Sequence, residues 1–190
     1  MKQPVNVLGF AGSLRKGSYN RAALRAAKQL APETMRLDIF ELNDIPLYNG
    51  DVEAQGFPLP VQEFKAKIEA SDALLIVTPE YNYSIPGVLK NAIDWASRPP
   101  TETPLDRKPT AIMGASTSRF GTVRSQLHLR QVCFGLNMPV LPQPEVYILR
   151  ARDKFDAAGN LTDERSASQI KKLLQALVEW TITLKVWGSK

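Results

Sequence analysis

Short apolar runs alternate along this chain with stretches whose apolar residues recur every three or four positions. The run VNVLGFA (5–11) predicts a first strand, and the Ala- and Leu-rich stretch from about Asn20 to Ala31 a helix. MRLDIFEL (35–42) alternates as a second strand, and the polar, Pro/Gly-containing segment 43–60 reads as a loop. VQEFKAKIEAS (61–71) predicts a helix, with Phe64 and Ile68 one turn apart. ALLIVTP (73–79) is almost wholly apolar, as a strand covered on both faces must be. GVLKNAIDWAS (87–97) is helical, PTAIMGAS (109–116) a fourth strand, and GTVRSQLHLRQVCFG (121–135) a further helix. EVYIL (145–149) follows the Pro-rich MPVLPQP as a fifth strand, and KFDAAGNLTD reads as a small hairpin or turn. A last helix over about 163–185 places Ile170, Leu173, Leu174, Leu177 and Leu184 on one stripe.

Strands that alternate with helices imply an α/β fold: a doubly wound five-stranded parallel sheet, order 2-1-3-4-5, with helices on both faces. The whole chain, 1–190, reads as one domain, long enough to bury a core. In such a sheet ligands bind beyond the carboxyl ends of the strands, at the switch point between strands 1 and 3. The loops after strands 1, 3 and 4 should converge there: GSLRKGSYN, PEYNYSIPG and GASTSRFG.

The first loop offers what a phosphate needs. Gly12 and Gly17 let the backbone turn, Ser13 and Ser18 bring hydroxyl donors, and Arg15 a cationic fork. Asn20 stands at the start of the following helix, where free N–H groups and the dipole favour an anion. The spacing nearly matches a P-loop, but Lys16 precedes the second glycine, which disfavours a P-loop NTPase and leaves a P-loop-like nucleotide switch as a rival; no GxGxxG follows the first strand, which disfavours a Rossmann dinucleotide site. The second loop, braced by Pro79 and Pro86, carries few positive charges but two tyrosines. It suits a flat heteroaromatic ring, and the two loops together describe a mononucleotide such as FMN.

The segments GSLRKGSYN, TPEYNYSIPGVLKNAIDWASR and FGTVRSQLHLRQV resemble the NADPH-dependent FMN reductases, flavodoxin-like proteins that include chromate and quinone reductases. The resemblance extends from the first strand to the last helix and implies bound FMN. It matches Ser13, Arg15, Ser18, Tyr19 and Asn20 to the phosphate loop. It matches Pro79, Glu80, Tyr81, Asn82 and Tyr83 to the isoalloxazine loop, and Ser116 to a third loop beside the flavin. It also implies NADPH or NADH as co-substrate, with hydride transfer to the flavin and then ping-pong reduction of quinones, free flavins, chromate, azo compounds or ferric chelates. Arg98, Arg119 and Arg124 are candidate anion contacts for the nicotinamide nucleotide.

Hydride transfer between stacked rings needs no side-chain nucleophile. The chain holds one histidine, His128, and one cysteine, Cys133, which are not on one helical face; both read as packing or surface residues. A lone cysteine suits the cytoplasm, and the N-terminal run reads as a strand, not a secretory leader. No apolar stretch approaches the roughly 18–20 residues that cross a bilayer. The net charge of +5 comes without a basic block interleaved with aromatics, which argues against a nucleic-acid partner. Val88, Leu89, Ala92, Ile93 and Ala96 form one stripe with Trp95 pointing elsewhere, and Val123, Leu127 and Phe134 form a second face on their helix. These surplus surfaces predict association, and the resemblance implies a homodimer, or a tetramer of paired dimers. The alternative function is a flavodoxin-like electron carrier with no nicotinamide reaction of its own, although such carriers are typically acidic.

Overall fold

The computed structural model describes residues 3–188; the outermost residues of the expected 1–190 domain lie outside them. Its five strands are β1 (Val5–Ala11), β2 (Met35–Phe40), β3 (Ala73–Val77), β4 (Thr110–Ala115) and β5 (Val146–Ile148). All pair in parallel, in the order β2-β1-β3-β4-β5. Six helices accompany them: α1 (Tyr19–Gln29), α2 (Gly50–Ala54), α3 (Leu59–Glu69), α4 (Gly87–Ala96), α5 (Val123–Gly135) and α6 (Glu164–Gly188). The expected sheet order is therefore the observed one.

Alternation along each strand divides the core in two. Val7, Leu75, Val77 and Met113 face α1 and α6, packing with Ala23, Leu24, Leu174 and Leu177. Leu8, Phe10, Leu74, Ile76 and Ile112 face the other helices, packing with Phe64 and Ile68 of α3, Leu89 and Ile93 of α4 and Leu129 of α5. Every residue of β3 and β4 is buried, which is why their sequences lack polar alternation. Each large apolar side chain so enclosed contributes about 1.5–3 kcal/mol.

Two expectations need correction. Segment 43–60 is not all loop: Asn49 Oδ1 accepts from the N–H of Asp51 at 2.9 Å and caps the short helix α2. Trp95 does not point away from the core but is fully buried. Its indole N–H donates to the Pro46 carbonyl at 2.9 Å, and its ring meets Tyr48 edge-on at 5.0 Å. The chain after β2 folds back over α4 and covers the face that had been expected to seek a partner. On α5 the second apolar face is real, with Val123, Leu127 and Phe134 all exposed.

Gly114, in β4, admits no side chain. A Cβ there would lie 2.1 Å from Thr122 Oγ1 and 2.3 Å from the Thr78 carbonyl oxygen. Gly17 in the first loop has no atom within 4 Å of the same construction, and its φ is not left-handed. Gly114→Ala is expected to lower unfolding free energy by about 1–3 kcal/mol. Gly17→Ala should leave it unchanged or raise it by up to about 1 kcal/mol. Urea titration of the two variants checks the contrast.

Candidate active site

The first loop is tied down at both ends. The Gly12 N–H donates to the Val77 carbonyl at 2.9 Å, which fixes the loop to the end of β3. A Cβ on Gly12 would lie 3.0 Å from Leu89 Cβ, so its role is close packing against α4 and not the turn expected of it. At the other end Ser18 Oγ accepts from the N–H groups of Asn20 (3.2 Å) and Arg21 (3.4 Å), capping α1 one residue earlier than predicted. No acidic residue occupies the first turn of α1, so the positive end of its dipole is uncompensated.

Asn20 reaches across to β4. Its side-chain amide donates to the Ala115 carbonyl at 2.9 Å, and its carbonyl accepts from the Ala115 N–H at 2.8 Å. Buried on all sides, the carboxamide joins α1 to the last residue of β4. Ser13 is also buried, with its hydroxyl 3.4 Å from that of Tyr81 across the cleft. Arg15 is exposed, and its guanidinium enters no ion pair among the described residues.

The second loop is a tight turn strapped to α5. Tyr81 and Ser84 exchange backbone hydrogen bonds of 3.0 Å each, and Asn82 and Tyr83 between them have φ of 48° and 68°. This is a two-residue hairpin with both central residues left-handed. The N–H groups of Asn82 and Tyr83 have no acceptor among the described residues. Glu80 turns its carboxylate toward α5. Its Oε2 accepts from the N–H groups of Arg124 (3.1 Å) and Ser125 (3.3 Å), and Oε1 pairs with the Arg124 guanidinium. Thr122 gives α5 no side-chain cap, and Glu80, 7% exposed, supplies one from across the cleft. Arg124 then lies over the Tyr83 ring, 3.8 Å from its centroid. Ser84 Oγ is 2.9 Å from His128 Nδ1. In the third loop, Ser116 Oγ accepts from the Ser118 N–H at 3.1 Å.

These loops enclose a cleft of about 210 Å³ beyond the ends of β1, β3 and β4. Ser13, Arg15, Ser18, Tyr19, Asn20, Pro79, Glu80, Tyr81 and Ser116 of the candidate residues all line it. Asn82 and Tyr83 do not; they form the exposed tip of the turn. Ala115 and Thr117, which flank Ser116 at the end of β4, line it as well; their position beside Ser116 was the only signal.

The three candidate arginines fare differently. Arg98 is not at the cleft: it follows α4, whose other end follows the tyrosine turn, so about 15 Å of helix intervenes. Its guanidinium stacks over Tyr48 instead. Arg124 borders the cleft but is held by Glu80, and Arg119 is exposed beside Phe120. Burial pushes the Cys133 thiol up to about 12, so it is a packed side chain and not a nucleophile. Among the described residues no cluster of His, Cys, Asp and Glu is arranged to hold a metal. A larger cavity of about 820 Å³ lies at the opposite edge of the sheet, where Asp72 and Pro109 precede β3 and β4. It shares no residue with the cleft and lies at the amino ends of the strands.

A parallel sheet of this order, with a donor-lined cleft at the switch point between β1 and β3, defines a flavodoxin-like nucleotide-binding protein. The comparisons narrow the class. The NADPH-dependent FMN reductase family matches residues 5–153, and the chain belongs to that family. An NAD(P)H-dependent FMN reductase of Pseudomonas aeruginosa is 53% identical over 185 residues, 97% of this chain and 100% of the relative. A quinone reductase of Pseudomonas putida is 44% identical, with 94% of each chain covered. The solved flavoenzyme NAD(P)H:(acceptor) oxidoreductase FerB of Paracoccus denitrificans superposes with a TM-score of 0.86 at 35% identity. That match covers 94% of this chain and 98% of FerB. The chain is accordingly an FMN-dependent NAD(P)H oxidoreductase.

The geometry separates a scaffold residue from a ligand contact. Asn20→Ala strands the buried N–H and carbonyl of Ala115 and is expected to cost about 2–4 kcal/mol of stability without any flavin present. Arg15→Ala removes an exposed side chain and should change flavin-free stability by less than about 0.5 kcal/mol. Denaturant unfolding of the two flavin-free variants checks this.

Proposed function

We propose that the cleft holds FMN with its phosphate at the first loop and its ring against the Pro79–Tyr83 segment, and that the enzyme passes electrons from NAD(P)H to quinones. The observation that supports this most is the donor set. Ser13, Ser18, the unpaired Arg15 and the uncompensated start of α1 all favour a phosphate dianion. The residues present therefore fit the group.

Bound there, FMN supplies a carrier that takes up two electrons with a proton from one substrate and delivers them to another. The chain's own work is binding and orientation. Arg15 and the two hydroxyls neutralise and hold the phosphate. Pro79 and Tyr81 line the cleft where the ring would lie, and Tyr81 with Tyr83 at the tip of the turn, both exposed, borders its open side. Among the cleft residues none is an activated nucleophile or a base in contact with a second titratable partner, because Glu80 spends its carboxylate on α5. Nicotinamide and quinone then use one open side in turn, which is a ping-pong scheme. Quinones lead among acceptors because relatives at 41% identity and above are named for quinone reduction; chromate, azo compounds and ferric chelates are further candidates. The same reading covers residues 1–190 as one domain and places it in the cytoplasm, in keeping with its one cysteine, buried and unpaired.

Anaerobic addition of NADPH or NADH to FMN-loaded protein should bleach the visible flavin absorption promptly. A quinone added afterwards should restore it, and initial rates at several quinone concentrations should give parallel double-reciprocal lines. Arg15→Ala should weaken FMN binding by about 10- to 100-fold. Undiminished FMN affinity in that variant overturns the phosphate assignment. Flavin that binds but does not bleach supports the electron-carrier alternative.

Val123, Leu127 and Phe134 are exposed along α5, whose first turns carry Arg124 and His128 against the tyrosine turn and whose far end reaches the larger cavity at Phe134. They support a homodimer whose interface borders the cleft, with pairing of dimers as a further step. Sedimentation should show a dimer at assay concentration; a fully active monomer there overturns it.

A further inference from the structure

Beside the cleft a separate cavity of about 340 Å³ is lined by Thr117, Arg150, Arg152 and Asp153. Thr117 also lines the cleft, so one residue forms the wall between the two. The segment carrying the arginines is fastened to the third loop. The Arg150 N–H donates to the Ser118 carbonyl at 3.2 Å, and the Ala151 N–H to the Ser116 carbonyl at 2.9 Å. Ala151 is fully buried, whereas Arg150 and Arg152 on either side of it are exposed.

The backbone at Arg150 is left-handed, with φ 49° and ψ 46°. Glycine or asparagine would occupy that conformation more easily than an ordinary side chain. Neither arginine forms an ion pair among the described residues. Two arginines with no ion-pair partner among the described residues thus line the cavity beside one acidic residue, Asp153. A paired guanidinium fork suits a phosphate with two or three free oxygens, and a nearby carboxylate suits a ribose hydroxyl.

We propose that this cavity receives the phosphorylated ribose at the adenine end of the nicotinamide nucleotide. Arg150 and Arg152 engage the 2′-phosphate that distinguishes NADPH from NADH, and Asp153 accepts from a ribose hydroxyl. The assignment rests on the reading of the neighbouring cleft as the flavin site. It replaces Arg98 and the Glu80-bound Arg124 as the anion contacts for the nucleotide.

The test uses FMN-loaded protein and two redox-inert probes, 2′,5′-ADP and 5′-AMP, titrated by calorimetry. The wild type should bind 2′,5′-ADP at least about tenfold more tightly than 5′-AMP. The variant Arg150→Asn, chosen because asparagine accepts the left-handed backbone, combined with Arg152→Ala should lose about 10- to 100-fold in 2′,5′-ADP affinity. Its affinity for 5′-AMP should move less than about threefold, and its kcat/KM ratio of NADPH to NADH should fall in parallel. Arg36→Ala, an exposed change on β2, controls for net charge and should leave both affinities in place. Equal loss for both probes, no loss for either, or a wild type indifferent to the 2′-phosphate each overturns the proposal. Flavin content, read from the visible spectrum of the same samples, keeps the two readings apart. Loss of selectivity with full flavin concerns the arginines alone, and failure of the wild type to load FMN overturns the cleft assignment and this proposal with it.

Discussion

The mouth of this protein depends on one buried carboxamide. A primary amide presents one donor and one acceptor at the spacing of a peptide group, and Asn20 uses both on a single residue, Ala115. On its far side Ala115 continues the ladder to Ile148, while on the near side the last β3 partner of β4 is Val77, opposite Met113. Asn20 therefore satisfies backbone groups that the sheet no longer reaches. This pairing sets the start of α1 against the end of β4, and so sets the phosphate-type loop against the third loop. A site whose donors are held by such a scaffold orders little on binding, and that lowers the entropy a ligand must offset.

Charge is arranged by the same economy of partners. Among the described residues Glu80 is the one carboxylate lining the cleft, and its position could have made the site hostile to anions. Turned onto Arg124 and the first amides of α5, it is neutralised within the scaffold. The pair is partly buried, so removing either member would leave an uncompensated charge in a poorly solvated place. Among the described residues Arg15, Arg119, Arg150 and Arg152 remain without ion pairs around the carboxyl ends of the strands. Cations so placed raise the local potential toward anions, and salt screens that effect.

The layout of strands and helices was legible because its cause is local. An unbroken apolar strand, ALLIV, can only be central, and a series of strands joined by helices leaves few parallel arrangements. The loops that form the cleft followed from that order. The particular duties of their side chains did not. Asn20 and Ala115 are 95 positions apart, and Glu80 and Arg124 are 44 apart, so no periodicity records either pairing. Trp95 was misplaced for a related reason. A helical wheel shows which residues face the sheet, but the cover over the rest of α4 comes from Pro46, Tyr48 and Phe57. Gly12 looked like a turn glycine because it stands at a turn; the atom that excludes a side chain there belongs to Leu89. Arg150 lay outside the three loops first considered, and only the hydrogen bonds to Ser116 and Ser118 bring it to their edge.

The tyrosine turn shows how such a site holds a conformation its residues would not choose alone. Tyr83 at φ 68° carries a penalty of about 1–2 kcal/mol relative to an ordinary backbone. Against it stand the paired backbone bonds of Tyr81 and Ser84, the contact of Ser84 with His128, and the guanidinium of Arg124 over the Tyr83 ring. A cation over an exposed ring contributes about 0.5–1 kcal/mol, comparable with the strain it opposes. Two of the three restraints come from α5, whose first turn is in turn capped by Glu80 from the base of the same loop. Loop and helix thus fix each other, and neither conformation is independent of the other. Chemistry that runs between stacked rings depends on where those rings lie more than on the proton affinity of any side chain. In such a protein, changes on α5 that never touch a ligand act through the shape of the turn.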